Sequence, residues 1–282
     1  MKTIIVTGSN SGIGKEAALN LAKSDHRILM LCRDSEKSKQ AQDEIIAQTD
    51  NENVFLLPVE LSDPRSIRGA VDQIKRQYPK IDVLVNNAGL YKVKREETEK
   101  GVEMSFAVNF LAPFMLSQLL IENLEASGNG RIINVVSELY KSGKIDFGNL
   151  MLKTGYKAGD AYGNSKLAAV LFTVELAKRT REKGITVNAL HPGVLATSAF
   201  RDYPNLLMKF MNLVLEKPQK GGERIAYLAT SDAVQGISGK YFYKIEEREF
   251  DISGQASDTA EKLWQVAEEL TGLEPSNSPR KN

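Results

Sequence analysis

The sequence predicts a single α/β domain built on a doubly wound parallel sheet of about seven strands, with helices on both faces. Short apolar runs rich in Val, Ile and Leu alternate with longer helical segments from the first residues onward, and repeated units of this kind form parallel sheets. Three glycines also lie between the first apolar run and the first helical segment, at the strand end where such folds bind ligands.

Six apolar runs are predicted as strands, at residues 3–7, 27–32, 53–59, 81–85, 131–136 and 185–190. Their residues are apolar on both faces, as in a sheet that helices cover on each side. Helices are predicted at residues 14–23 and 36–48. A third helix begins at Asp63-Pro64, since aspartate is a common N-cap and proline suits the first helical position.

The composition limits the classes of function. The chain has 282 residues, 42% of them hydrophobic and 26% charged, as expected of one globular domain with a sizeable core. Its net charge of +1 gives no electrostatic basis for binding nucleic acid. No apolar run approaches the ~20 residues of a membrane span, and the N-terminus has no signal-peptide pattern. We therefore expect a cytoplasmic protein.

The sequence also predicts the bounds of the domain and indicates that a metal site is not expected. No linker interrupts the pattern, so residues 1–273 are predicted as one domain, and the tail 274–282, rich in Pro, Ser and Lys/Arg, as disordered. Cys32 is the sole cysteine, which excludes an internal disulfide. With only His26 and His191 beside it, we expect no metal site.

The glycines form the first candidate site. Without side chains they permit a tight turn and close approach of a pyrophosphate, and the next helix offers N–H donors to its charge. Their spacing, Gly-x-x-x-Gly-x-Gly, differs from the usual dinucleotide fingerprint, so a glycine-rich turn without a ligand is the alternative. The candidate cofactor-binding residues here are Gly8, Ser9, Asn10, Ser11, Gly12, Ile13 and Gly14.

The end of the second strand indicates which dinucleotide binds. An acidic residue there binds the ribose of NAD, whereas an arginine accommodates the 2′-phosphate of NADP. Arg33 follows the strand tip, and Asp34 is expected to begin the next helix. NADP(H) is therefore favoured over NAD(H), with a solvated surface charge as the alternative for Arg33.

Tyr162 and Lys166 form the second candidate site. Residues four apart share one face of a helix, so the lysine ammonium can lie beside the phenol. A nearby cation lowers a tyrosine pKa from its usual value of about 10, toward the range useful for proton transfer. Taken alone, such a pair is more often a solvated helix face, and the glycine motif is what favours the catalytic interpretation.

These motifs, in this order, resemble those of the short-chain dehydrogenase/reductase family, which has a Rossmann-type fold. The matching residues are 7–14, 86–89, Ser137, Tyr162 with Lys166, and 191–193. Within the family, the chain is most similar to the retinol dehydrogenase-like branch, which includes an oxidoreductase carrying WW domains. Residues 31–34, 161–168 and 262–264, and the long gap between Ser137 and Tyr162, carry this closer likeness.

The resemblance implies roles for four catalytic residues. Ser137 would hydrogen-bond the carbonyl oxygen of the substrate, and Tyr162 would deliver or remove its proton. Lys166 would bind the nicotinamide ribose and lower the pKa of the tyrosine. Asn109 matches the asparagine that anchors a proton-relay water.

The resemblance also implies further cofactor contacts. Those on the adenosine side are Glu60, Leu61, Asn86, Ala88 and Gly89, and those beside the nicotinamide are Pro192, Gly193, Val194 and Thr197. Glu60 departs from the family pattern, in which an aspartate is more common.

The expected reaction is hydride transfer between the nicotinamide and a carbonyl carbon. Residues 198–217 are rich in apolar side chains, which predicts a small hydrophobic aldehyde, ketone or alcohol as substrate. A helix docked on another subunit or on a membrane surface explains the same residues, and the resemblance admits a homo-oligomer. A non-catalytic NADP-binding sensor or scaffold of the same fold, and a nucleotide-sugar epimerase or dehydratase, are the competing functions.

Overall fold

The structure is a computed structural model that describes residues 1–193, 216–252, 254–255 and 258–274. Numbered along the chain, its strands are β1 Thr3–Thr7, β2 Arg27–Cys32, β3 Val54–Pro58, β4 Val83–Asn86, β5 Arg131–Val135, β6 Thr186–His191, β7 Tyr241–Tyr243 and β8 Glu246–Arg248. They form one sheet in the order β3-β2-β1-β4-β5-β6-β7-β8. Neighbouring strands pair in parallel, except that β8 is antiparallel to β7.

Helices cover both faces of this sheet. They are α1 Gly12–Ala22, α2 Glu36–Thr49, α3 Pro64–Gln77, α4 Met104–Phe106, α5 Ala112–Leu119, α6 Ile121–Glu125, α7 Ala158–Arg179, α8 Pro218–Thr230 and α9 Thr259–Thr271. A π-helical turn, Ala107–Leu111, joins α4 to α5. Among the described residues, no helix is long and apolar enough to cross a bilayer.

Alternate residues of the strands enter two separate cores. Ile4 packs with the side of the sheet that α1, α2 and α8 cover. Its neighbour Ile5 packs with the side that α3, α5, α7 and α9 cover. Both residues are fully buried. The predicted doubly wound sheet with helices on both faces is therefore confirmed.

The predicted elements differ from the observed ones mainly at their ends. The first two strands have the predicted bounds, and the other four shift by one or two residues. The helix predicted at residues 36–48 is confirmed as Glu36–Thr49, and its N-cap is Ser35, so Asp34 lies before the helix rather than at its start. Asp63 caps α3 as predicted, since its carboxylate accepts from Arg65 N at 2.9 Å. Strands β7 and β8 were not predicted because each has only three residues and β8 is exposed and charged.

The C-terminal helix α9 is anchored by one aromatic residue. The ring of Trp264 lies edge-on to Phe114 of α5, with ring centroids 4.9 Å apart, and contacts Phe172 of α7 at 5.9 Å. Its Nε1 donates to Glu268 at 2.7 Å. The segment 262–264, singled out in the sequence, thus has a packing role. Of the predicted tail, residues 275–282 lie outside the described residues.

Helices α1 and α8 meet almost backbone to backbone. A Cβ atom at Gly222 would lie 2.5 Å from Glu16 Cβ and 2.6 Å from the Glu16 carbonyl carbon. Such distances are far inside van der Waals contact, so only glycine permits this approach. The position of α1 against the sheet therefore depends on Gly222.

Gly222→Ala is expected to destabilise the protein by about 1–3 kcal/mol, because the new methyl overpacks the contact between α1 and α8. Gly69 of α3 is the matched control, since a Cβ there meets no atom within 4 Å. Gly69→Ala should stabilise by roughly 0.5–1 kcal/mol through helix propensity. Urea unfolding of both variants measures the difference. Equal shifts of the two midpoints would contradict the close packing.

Candidate active site

The three glycines of the first loop are required for different reasons. Gly8 and Gly12 have φ angles of +65° and +55°, in the left-handed region that favours glycine. At Gly14 a Cβ would lie 2.3 Å from Asn87 Nδ2 and 2.5 Å from Gly8 O. The first turn of α1 contains no acidic residue, so the positive end of its dipole is available to an anion.

Polar side chains connect the glycine loop to the end of β2. Ser9 is fully buried and donates to Val6 O at 3.0 Å, so its hydroxyl stabilises the turn. Asn10 Nδ2 donates to Ser38 Oγ at 2.9 Å, and Ser38 Oγ donates to Arg33 O at 2.8 Å. The Arg33 side chain is exposed beside this loop. Arg33 and the glycines are therefore brought to one edge of the sheet.

A second loop, which follows β4, is fixed to β1 by Thr7. Its Oγ1 accepts from Asn87 N at 3.0 Å and from Ala88 N at 2.9 Å. Asn87 Nδ2 donates to Thr7 O at 2.9 Å. The side chain of Asn86 is buried and donates to Asn134 at 2.8 Å. Asn86 was predicted to line the adenosine site, but its side chain lies inside the protein.

Glu60 and Leu61 follow β3 at the same edge. The exposed Glu60 carboxylate accepts from Ser62 N at 3.1 Å and from Ser62 Oγ at 2.8 Å, which closes a local turn. Both residues border a cavity of about 500 Å³ whose opposite wall includes Ala107 and Leu111 of the π-helical turn.

Ser137, Tyr162 and Lys166 meet beyond the end of β5. Ser137 follows the strand and accepts from Leu139 N at 3.3 Å, as the N-cap of a 3₁₀ turn. The side chains of Tyr162 and Lys166 project from α7, and these residues are 8% and 4% exposed. Lys166 Nζ lies 5.6 Å from the centroid of the tyrosine ring and donates to Val135 O at 2.9 Å. The predicted proximity of the pair is therefore observed.

Asn109 lies in the π-helical turn and connects three elements. Its Oδ1 accepts from Leu90 N at 2.8 Å, and its Nδ2 donates to Leu90 O at 2.9 Å and to Ser165 Oγ at 3.0 Å. Ser165 Oγ in turn donates to Tyr162 O at 2.7 Å. A Cβ at Gly89 would lie 3.4 Å from both Asn109 Oδ1 and Lys166 Nζ. Single π turns often occur at functional sites.

Burial governs the ionisation of the central pair. It raises the pKa of Tyr162 to about 12, although a hydrogen bond with Ser137 acts in the opposite direction. It lowers the pKa of Lys166 to about 8. The expected lowering of the tyrosine pKa is not observed, because burial of the phenol favours its neutral form. At pH 7 the phenol is neutral and Lys166 is mostly protonated.

The predicted nicotinamide side is described only in part. Pro192 and Gly193 follow β6, and Gly193 has a φ of +100°. The predicted contacts Val194 and Thr197 lie outside the described residues, as do residues 198–215 of the apolar segment. His191 is 5% exposed, its ring centroid lies 5.3 Å from that of Tyr243, and burial lowers its pKa.

Several residues that organise the site received no individual role from the sequence. Thr7 and Asn87 organise the two loops, and Ser165 connects Asn109 to α7. Tyr91 has its ring centroid 5.5 Å from that of Tyr162. Thr7 ends a strand and Asn87 repeats an asparagine, and neither pattern indicates a partner that lies 80 residues away.

Comparison with known proteins identifies the family. The model of the short chain dehydrogenase family matches residues 2–205. The chain therefore belongs to this family of oxidoreductases.

Individual relatives indicate which branch of the family the chain resembles. Retinol dehydrogenase 13 of Mus musculus is 40% identical over 285 residues, covering 96% of this chain and 84% of that protein. Retinol dehydrogenase 14 of Homo sapiens is 36% identical over 291 residues, covering 96% and 87%. The predicted likeness to the retinol dehydrogenase branch is thus confirmed.

Solved structures share the fold. A crystal structure of an uncharacterized protein from Mycobacterium Paratuberculosis aligns with a TM-score of 0.77 and 26% identity, covering 96% of this chain and 94% of that one. A short chain dehydrogenase from Shigella flexneri 2a, solved with NADP, aligns with a TM-score of 0.68 and 24% identity, covering 87% and 97%.

Thr7→Val is expected to speed amide hydrogen exchange at Asn87 and Ala88, because valine keeps the shape of threonine but provides no acceptor for their N–H groups. Unpaired donors of this kind cost about 1–3 kcal/mol. Thr7→Ser is the control, since it loses a methyl group but retains the oxygen. If both variants protect these amides equally, the hydroxyl does not hold the loop.

Proposed function

We propose that the protein is an NADP(H)-dependent oxidoreductase that transfers a hydride between the nicotinamide and a small hydrophobic aldehyde, ketone or alcohol. The observation that carries the proposal is the group formed by half-buried Ser137 and buried Tyr162 and Lys166 at the carboxyl edge of the sheet, beside a glycine loop. The cofactor, when bound, supplies or accepts the hydride.

The cofactor would lie across the loops that follow β1, β2 and β4. The glycine loop leaves no space for a Cβ at Gly14, and the first turn of α1 would offer its N–H donors to the pyrophosphate. Arg33, exposed after β2, would bind the 2′-phosphate. Gly89 was predicted on the adenosine side, but because a Cβ there would lie 3.4 Å from Lys166 Nζ, we propose instead that it would face the nicotinamide ribose. A structural neighbour solved with NADP supports this cofactor.

Proton transfer is assigned to Tyr162. With a pKa of about 12, its phenol carries the proton at pH 7, so it can donate to the oxygen of a carbonyl as the hydride arrives. Ser137, hydrogen-bonded to Tyr162, is a second donor to the same oxygen. Reduction uses the phenol in the form that burial favours, whereas alcohol oxidation requires loss of its proton. The tyrosine pKa does not set the equilibrium of the reaction, and carbonyl reduction is the proposed direction because NADP(H) is the proposed cofactor.

Lys166 and Asn109 would assist the tyrosine. Lys166 is mostly protonated below its pKa of about 8, so its ammonium can hold the ribose hydroxyls. Asn109 holds the loop at Leu90 through two hydrogen bonds, and the water it is expected to anchor would return a proton to Tyr162.

The proposed substrate is apolar. The relatives are named retinol dehydrogenases, after an apolar alcohol. The composition of residues 198–217, rich in Leu, Met and Phe, favours the same class here. A cytoplasmic location and a homo-oligomer stay predictions.

Tyr162→Phe is expected to lower NADPH-dependent reduction of hydrophobic aldehydes and ketones by about 10²–10⁴-fold, the usual contribution of a general acid. NADPH affinity should change by less than about threefold, because the lost hydroxyl faces the substrate oxygen. Tyr156→Phe is the matched control, since that hydroxyl donates to Lys92 O at 2.7 Å, outside the catalytic group. Steady-state assays and calorimetry provide the two measurements.

Substantial residual activity in Tyr162→Phe would contradict the tyrosine as acid. A lower KM for NADH than for NADPH would overturn the cofactor preference. NADPH binding by the wild-type protein with no turnover across a broad carbonyl panel would favour the non-catalytic sensor.

A further inference from the structure

An arginine on α8 contacts the turn that follows β6. Arg224 Nη1 donates to Pro192 O at 2.6 Å and lies 2.6 Å from Glu216 Oε2. Its side chain is only 14% exposed. The contact with Glu216 is an ion pair, and the bond to Pro192 O is charge-assisted, which places it among the strong hydrogen bonds.

Lys244, in the turn between β7 and β8, completes the cluster. Its Nζ lies 2.6 Å from Glu216 Oε1, and its backbone N donates to His191 O at 2.8 Å. Lys244 has a φ of +61°, which is uncommon for a residue with a side chain. The consecutive carbonyls of His191 and Pro192 are therefore each held by a residue of this cluster.

The cluster also joins two distant points of the sequence. A Cβ at Gly193 would lie 2.7 Å from Arg224 Nη1 and 3.7 Å from Glu216 Oε2. Gly193 and Glu216 flank residues 194–215, so the two flanks meet at Arg224. The φ of +100° strongly favours glycine at this position, and a Cβ there would also force the end of the Arg224 side chain to shift.

We propose that Arg224 is a positioning residue that fixes the Pro192–Gly193 turn against the nicotinamide ring, with Glu216 and Lys244 holding its guanidinium in place. The inference rests on the proposed function, because the turn acts on the reaction only through the cofactor. The adenosine half of the cofactor would be held elsewhere, by the glycine loop and Arg33. Loss of Arg224 should therefore displace the nicotinamide ring more than it lowers the affinity for NADPH.

Arg224→Met tests the proposal. We expect kcat for carbonyl reduction to fall by about 10–100-fold, since a displacement near 1 Å can cost 10²-fold in rate. The dissociation constant of NADPH should change by less than about threefold, since most of its contacts lie elsewhere. The deuterium isotope effect with 4-deuterated NADPH should rise, because a misplaced ring slows the hydride step. Lys220→Met, which removes an exposed cation from the same helix, should change none of these values.

A second readout does not require turnover. The fluorescence of bound NADPH reports the surroundings of the nicotinamide, and it should differ from wild type in Arg224→Met but not in Lys220→Met. Arg224→Lys, which keeps a donor for Pro192 O, should recover part of both kcat and fluorescence. If Arg224→Met does not fold, the same measurements are made on Glu216→Gln. This variant keeps Arg224 but removes the carboxylate charge that holds its guanidinium in place.

The outcomes separate the two proposals. Unchanged kcat, isotope effect and NADPH fluorescence in Arg224→Met would overturn the positioning role. A loss of NADPH affinity equal to the loss of kcat would also overturn it, since Arg224 would then act in binding alone. If wild-type protein binds NADPH but shows no turnover, the proposed reaction is wrong. The fluorescence of NADPH bound to Arg224→Met and to wild type still tests the positioning role of Arg224.

Discussion

The burial of a phenol and an ammonium side by side is the constraint on which the site depends. Removal from water penalises the charged form of each group, so Tyr162 remains neutral far above pH 7 and Lys166 loses its proton near pH 8. Tyr162 therefore carries the proton that a general acid needs at pH 7. The protonation states of Tyr162 and Lys166 therefore depend on how deeply α7 buries their side chains.

The loops around this pair are each held by a side chain that bonds to backbone atoms. Thr7 holds the loop after β4, Asn109 holds Leu90, and Arg224 holds Pro192. All three anchors belong to regular elements. A strand, a π-helical turn and a helix thus fix the backbone of the catalytic edge, where small displacements are costly to the rate.

The sequence was sufficient for β1 to β6 because these strands read as continuous apolar runs, and most of them are buried on both faces. It did not predict β8, whose residues Glu246–Arg248 are exposed and charged. Spacing predicted that Tyr162 and Lys166 share a helix face, but not the direction of the tyrosine pKa, which depends on burial by distant residues. The contact of Arg224 with Pro192 spans 32 positions, and no local pattern indicates it.

Titration of Tyr162 in the ligand-free protein tests the central claim most directly. The carbon that bears the hydroxyl, labelled with ¹³C in all tyrosines, gives an NMR resonance that is assigned by its loss in Tyr162→Phe. We expect the chemical shift of this resonance to stay at the value of a neutral phenol past pH 10 and to titrate with a pKa of about 12. A midpoint below the ordinary tyrosine value of about 10 would contradict it, because the cation of Lys166 would then outweigh burial.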